Sequence, residues 1–446
     1  MRRLRLPGSD NEHGDGAGIS RRSLLGASAS GAAALLLAGC GLGGDDEGSG
    51  SGNGGGNGNG GGSGGGSGDD ESARPPAPPS GALGANFNED PSDMTFAQLR
   101  GISAGWLRGF IPMREDGTSD PARQEAVATL LKAREEGYGT ILSLKFPYQH
   151  KALPEAGSSA MDAELARVDK VLDAALGTMD ILVIGNEPFL ETRRADRGGP
   201  AINAFYEHLA EHVIAYRKKH FGARCRTRLY MGALNRLDDP ARRTAPTRRW
   251  MEFVGKTREI EGVDIHPHVT SLDASQKYLD YVLPHLRDDQ KFLATEFSLV
   301  LNWGRHMRDK IPAAFASKYD VAPGTRVWQL LKEAAENPFP QEKWDAFLAA
   351  SPWFHRNRHY LRDQMRKFRD TGKLAVATYG VVQADAMVRD IGPDKTPWML
   401  NSVYASRTVE EGEDGSPGLN KAWYEDFRAL QRKRDRLPVR TGETAT

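Results

Sequence analysis

A single (β/α)8 TIM barrel is the fold this sequence predicts, and three observations carry that prediction. From Gly81 onward eight short apolar runs alternate with amphipathic stretches. The runs are apolar at successive positions, as parallel strands covered on both faces tend to be. The alternation fills about 350 residues, the size of such a barrel with insertions. A doubly wound sheet is the alternative. It advertises a glycine-rich turn after its first strand, and Gly84-Ala85-Asn86-Phe87 is not one.

The expected strands are, in order, Leu83–Phe87, Ala104–Ile111, Thr140–Lys145, Ile181–Ile184, Arg228–Ala233, Gly262–Ile265, Lys291–Thr295 and Leu374–Tyr379. Helical periodicity lies between them. In Ala201–Lys218 the residues Ile202, Phe205, Leu209, Val213 and Tyr216 recur at three- and four-residue steps, a stripe for one face of a helix. Ala122–Glu136 and Ala163–Leu176 repeat the pattern. The longest interval separates the seventh and eighth strands and carries Trp303, Trp328, Trp344 and Trp353. In a barrel it is an elaborated loop region after the seventh strand, on the active-site face. Its tryptophans read as sugar-stacking platforms or as the small core of the insertion itself.

Composition narrows the partners. The 59 basic and 59 acidic side chains cancel, so no strong field draws the chain to nucleic acid, and a neutral substrate fits better. Hydrophobic residues make up 39% and charged residues 26%, ordinary for a globular protein, whereas 50 glycines are an excess gathered before residue 82. Of the two cysteines, Cys40 and Cys225, the second has no partner once Cys40 is used as described next, and reads as a structural thiol. Oligomeric state leaves no mark on the sequence.

Residues 1–40 read as an export signal. Arg21-Arg22 precedes a short apolar run that ends in Leu37-Ala38-Gly39-Cys40, too short and too rich in Gly and Ser for a permanent span. The arginine pair resembles a twin-arginine signal, and the last four residues resemble a bacterial lipobox, with Cys40 as the lipidated residue. Residues 41–80 are Gly/Ser/Asn-rich and then Pro-rich. Such a segment cannot bury enough apolar surface to offset its ordering entropy, so it reads as a disordered tether. The barrel domain is expected over 81–435, with a flexible tail at 436–446. The expected location is extracytoplasmic, lipid-anchored to the outer face of the bacterial cytoplasmic membrane or secreted.

Barrel enzymes place reacting groups where strands end. Those positions here are Asn86, Arg108, Lys145, Asn186-Glu187, Asn235, His266 and His268, Glu296 and Tyr379. Charged groups directly after apolar strands are costly unless paired, so two carboxylates and two imidazoles there ask for a reason. Glu187 closes the run Ile181-Leu-Val-Ile-Gly-Asn-Glu-Pro188, and Glu296 closes Phe292-Leu-Ala-Thr-Glu296.

These two runs resemble clan A of the glycoside hydrolases, whose barrels carry an acid/base on strand four and a nucleophile on strand seven. Leu107-Arg-Gly-Phe-Ile-Pro112 is similar to the clan's strand-two arginine, and Asp264-Ile-His-Pro-His268 to its strand-six histidine. The resemblance covers roughly Gly81 to Leu430. It implies a retaining glycosidase without cofactor or metal, acting on an oligo- or polysaccharide, with Glu187 as acid/base and Glu296 as nucleophile. Such carboxyl groups sit about 5 Å apart, one protonated to assist the leaving oxygen and one ionised to attack the anomeric carbon. Asn186, Arg108, His266, His268, Asn86 and Tyr379 become the substrate-binding set, Arg108 doubling as the cation that keeps Glu296 ionised. The chain departs from the pattern at Lys145, where several members have histidine, and at His268, commonly tyrosine. The usual strand-eight tryptophan is absent unless Trp398 replaces it.

Two other functions fit parts of the sequence. A metal-dependent barrel hydrolase is prompted by His266-Pro-His268 with Asp264, although a zinc site needs further ligands from other strands. A non-catalytic carbohydrate-binding surface lipoprotein fits the anchor, although such proteins are usually two-lobed and here both carboxylates are present.

Overall fold

The computed structural model describes residues 79–87, 91–114, 120–222 and 225–432. The stretch read as an export signal with Cys40, the stretch read as a tether up to residue 78 and the tail expected at 436–446 lie outside the described residues.

Eight strands form: β1 (Ala82–Asn86), β2 (Trp106–Pro112), β3 (Gly139–Lys145), β4 (Ile181–Ile184), β5 (Arg228–Asn235), β6 (Ile260–His266), β7 (Lys291–Ala294) and β8 (Leu374–Gly380). They are the eight read from the apolar runs. They pair in chain order, all parallel, and β8 pairs with β1 from Ala82↔Val376 to Asn86↔Gly380, which closes a (β/α)8 barrel. The expected helical stripes form helices at Glu125–Glu135, Ser159–Ala175 and Pro200–Phe221. Ser158 starts the second of these by accepting the Met161 N–H at 3.2 Å, which satisfies a donor the first helical turn leaves open.

Side-chain alternation sorts each strand into two sets. Ala82, Ile141, Ile181, Val183, Tyr230, Leu293 and Val376 meet in a buried cluster inside the barrel. Their neighbours Leu182, Ile184, Phe292, Ala294 and Ala377 pack outward against the helices. Replacing a core residue such as Ile181 by Ala would cost roughly 2–5 kcal/mol. Continuing in steps of two residues along β1, β2, β3, β6, β7 and β8 reaches Asn86, Arg108, Ser143, Asp264, His266, Thr295 and Thr378. The apolar plug therefore gives way to a polar layer at the ends of the same strands.

Gly185 turns the chain out of β4 with φ +102°, a conformation that favours glycine. A Cβ there would stand 2.2 Å from the Gly232 carbonyl oxygen of β5. Only glycine lets Asn186 and Glu187 follow the strand so closely.

The interval between β7 and β8 carries six helices, from Val300–Arg305 to Tyr360–Asp370. Trp303 and Trp344 are fully buried in it. Trp303 packs on Phe354 and Trp423, so these two rings build the insertion's core and carry no sugar. Trp353 is half-buried and stacks on His306 at 5.3 Å. The last helix, Lys421–Arg432, seals β1: Trp423 and Phe427 are buried and Gln431 Nε2 donates to the Leu83 carbonyl at 2.8 Å. Cys225 is buried with a free thiol. Among the described residues no helix is long and apolar enough to cross a membrane.

Candidate active site

Arg108 organises the polar end of the barrel. Its side chain is 1% exposed, and a permanent cation so deep must be paired. The guanidinium donates through Nη1 to Glu296 Oε1 at 2.6 Å, through Nη2 to Asn186 Oδ1 at 2.5 Å and through Nε to Ser143 Oγ at 3.3 Å. One residue of β2 thus joins the ends of β3, β4 and β7.

His266 joins the two carboxylates. Its Nδ1 lies 3.3 Å from Glu187 Oε1 and 3.9 Å from Glu296 Oε1. The nearest oxygens of the two glutamates can be no further apart than those distances together. Asn235 Nδ2 donates to Glu187 Oε1 at 3.3 Å from β5. His268 presents Nε2 to Glu296 Oε2 at 3.4 Å, held by a 2.7 Å contact of Nδ1 with Ser298 Oγ.

The proton inventory follows from the partners. Thr295 spends its hydroxyl proton on Asp264 Oδ2 at 2.5 Å. Its oxygen therefore accepts from His266 Nε2, 2.9 Å away. Nδ1 faces carboxylates and is also a donor, so the ring is an imidazolium. Burial alone would push His266 down, but Glu296, Asp264 and Glu187 together hold its pKa up at about 10. Burial would raise Glu296; His266, Arg108 and His268 overcome it and hold that carboxyl well below its ordinary range. Glu187 is likewise raised by burial and by Glu296 but lowered more by its contact with His266 and by the charge of that ring. With the site open to solvent both glutamates are ionised, and the shared proton rests on His266.

Six of the eight sequence-predicted catalytic and substrate-binding residues meet here: Glu187, Glu296, Asn186, Arg108, His266 and His268. Asn86 stands at the rim in another capacity. Its Nδ2 donates to the Thr295 carbonyl at 2.9 Å and to that of Thr378 at 3.4 Å, which ties β1 to β7 and β8. Tyr379 is a correction. It belongs to the outward set of β8, is fully buried against Phe297 and Trp423, and donates to Asn401 Oδ1 at 2.9 Å. Its neighbour Thr378 is the inward residue, donating to the Thr295 carbonyl at 2.5 Å. Strand position alone suggested Tyr379; strand parity assigns that place to Thr378.

Three participants escaped the sequence reading. Thr295, the residue before Glu296, is clamped to Asp264 and His266, and Ser143 receives Arg108; both are small polar residues within apolar runs, a signal that was legible. Glu191 is the third, fully buried on the turn after Glu187, with Oε1 accepting from Asn186 Nδ2 at 2.8 Å. Burial raises its carboxyl to about 7 against the opposing pull of Lys145 and Asn186. Trp398, from the loop after β8, sets its ring edge-on to His268 at 5.1 Å, so an indole does reach the site, contributed by the loop and not by the strand.

Glu187, His266 and His268 each bring one ligand atom to within 4.8 Å of the others, which is the geometry a metal ion asks for. The charges argue the other way. Arg108 already holds Glu296, and His266 has both nitrogens committed as donors, so the ring has no lone pair to offer. The cluster suits proton transfer better than a cation.

No family model matches the chain, and no curated protein matches it in sequence. Solved structures resemble it in fold. A xylanase from Thermotoga maritima is 12% identical over 79% of this chain and 95% of its own, with a TM-score of 0.39. A thermostable mutant xylanase from Cellvibrio japonicus is 12% identical over 80% and 97%, with a TM-score of 0.46. A glucosidase from Croceicoccus marinus is 11% identical over 81% and 69%, with a TM-score of 0.44. The closed eight-strand pairing of this chain establishes the barrel by itself.

Proposed function

We propose that this protein is a retaining glycoside hydrolase that cleaves O-glycosidic bonds of a carbohydrate by double displacement. One observation carries the reading: two carboxylates, from the ends of β4 and β7, converge on one nitrogen of His266 while Arg108 fixes the second of them. Glu296, kept ionised by Arg108 and His266, is the nucleophile. It attacks the anomeric carbon as the glycosidic bond breaks. Glu187 gives a proton to the leaving oxygen and then takes one from the water that releases the sugar.

The open site is charged for the base step, with Glu187 ionised. A sugar covering the site removes solvent from that carboxylate and favours its neutral form. The proton is at hand on His266 Nδ1, 3.3 Å away. His268 borders the nucleophile and Asn186 directly precedes the acid/base, so both are placed to offer polar contacts to sugar hydroxyls, and Trp398 offers an indole face. The anchor at Cys40 and the tether belong to the same proposal: a hydrolase held at the outer face of the membrane and able to reach polymer beyond it.

The test is stereochemical. A panel of aryl glycosides and polysaccharides is screened, and the first-formed product of any active substrate is read by proton NMR. Retention of the anomeric configuration is expected, and an activated fluorinated glycoside with a slow second step should leave its sugar on the Glu296 peptide. Inversion, or a label on another residue, would overturn the mechanism. The metal-dependent alternative predicts that exhaustive chelation abolishes turnover and that a divalent cation restores it; unchanged turnover is expected.

A further inference from the structure

Behind the two carboxylates runs a chain of hydrogen bonds that the reaction itself does not use. Glu296 accepts from Arg108 at 2.6 Å, Arg108 donates to Asn186 Oδ1 at 2.5 Å, and Asn186 donates through Nδ2 to Glu191 Oε1 at 2.8 Å. Each member is buried except Glu296, whose side chain is 22% exposed to the barrel mouth. The chain therefore starts at the reacting atoms and ends in a carboxylate with no exposure at all.

Asn186 sits between a group that only donates and a group that accepts. A guanidinium has no lone pair, so it must meet the amide oxygen, and Glu191 then takes the amide N–H. The two partners fix the amide in one orientation, and each loses that constraint if the other goes. Glu191 meets the Asn186 N–H and the charge of the buried Lys145. Its Oε2 makes no hydrogen bond, and a fully buried carboxyl in that state is costly unless something is gained from the contact it does make. Lys145 is the cation that faces it, with Tyr206 and Glu187 as its other titratable neighbours. Its placement is written into the turn: Pro188–Glu191 is one helical turn in which the Glu191 N–H donates to the Glu187 carbonyl at 2.8 Å, so the acid/base and Glu191 move as one piece.

We propose that Glu191 is a positioning residue that orients Asn186, through it the Arg108 guanidinium, and so the nucleophile Glu296. This rests on the glycosidase reading only for its effect on turnover; the hydrogen-bond chain stands without it. Glu191 touches no substrate. Its contribution is to remove the freedom of the Arg108 fork to turn about the Glu296 carboxylate, and misplacement of a reacting group is expensive in rate even when binding survives.

Glu191→Met fills the same volume and removes the acceptor, and Glu191→Gln keeps an acceptor oxygen for the Asn186 N–H. The Met variant should lose about tenfold to hundredfold in kcat with KM near the parent value, the scale of losing a partner behind a functional side chain. The Gln variant should recover most of the loss. In an Asn186→Ala background the Met substitution should cost less than about twofold, because its effect runs through that amide. A parent-like kcat in a folded Met variant, or costs that multiply in the double variant, would overturn the proposal. Nitrogen-15 NMR of the Arg108 side chain supplies a readout that needs no turnover and applies equally to the Gln variant if the Met variant does not fold. Faster guanidinium rotation and solvent exchange are expected in Met, Asn186→Ala and, to a smaller extent, Gln variants. Unchanged Arg108 signals sink the proposal. Loosened signals in a protein that hydrolyses no glycoside would leave the positioning intact and remove the glycosidase reading instead.

Discussion

Arg108 stands on strand β2 and Glu296 just beyond the end of β7, yet their side chains meet at 2.6 Å across the barrel mouth, the arginine almost wholly buried. This pair helps to hold Glu296 in its charged form. Breaking one side of a buried ion pair leaves the other uncompensated, at a cost of roughly 3–5 kcal/mol. Arg108→Met is therefore expected to lower thermal stability and to reduce kcat/KM by at least about a hundredfold. Glu296 gains stability for the fold above its unfolded pKa and loses it as pH falls through its depressed folded value. Without Arg108 that folded value rises, so the acid limb of the pH–rate profile should move to higher pH. An acid limb that stays in place would show that Arg108 does not set the charge of Glu296.

The two glutamates should separate under azide rescue. Glu296→Ala should abolish turnover of every substrate, because the first step needs a nucleophile whatever the leaving group. Glu187→Ala should cripple natural glycosides and spare the first step on activated aryl glycosides, where the departing oxygen needs little help. Azide should then rescue Glu187→Ala with the parent's anomeric configuration and Glu296→Ala with the inverted one. Swapped stereochemistry would show that the roles are reversed.

His266 ties stability to alkaline pH. Its folded pKa is held up at about 10 by Glu296, Asp264 and Glu187, against an ordinary value near about 6.5. A raised pKa contributes stability that is complete below the unfolded value and disappears as pH rises through the folded one. The melting temperature should therefore fall between about pH 7 and pH 10 more steeply in the parent than in His266→Asn. Parallel profiles for the two proteins would mean that the ring is neutral in the fold.

Anchoring is testable apart from chemistry. Cys40→Ser should move the protein from the membrane fraction to the medium or leave the precursor uncleaved, and a chain starting near Ser80 should fold cooperatively and keep its turnover. A variant that fractionates like the parent removes the lipobox reading. Loss of folding in the shorter chain would place the domain boundary earlier.

By itself the sequence pointed to the barrel and to the strand ends where its polar residues gather. Eight apolar runs separated by helical stripes, with no glycine-rich turn after the first, favour a closed parallel barrel over a doubly wound sheet, and strand ends carrying Arg108, Glu187, His266 and Glu296 announce a polar mouth, because burying such groups requires partners. Tertiary structure decided which side chains face each other. Parity on β8 turned Tyr379 outward and Thr378 inward, a one-residue distinction that the apolar run Leu374–Ala377 before them does not print in its pattern. The insertion folded Trp303 and Trp344 into its own core while the loop after β8 delivered Trp398 to His268. Glu191 joined the site through Asn186, and the proton settled on His266 between carboxylates from β4, β6 and β7. Those outcomes depend on distances between strands remote in the chain, where burial and Coulomb interaction fix charge states that no local pattern encodes.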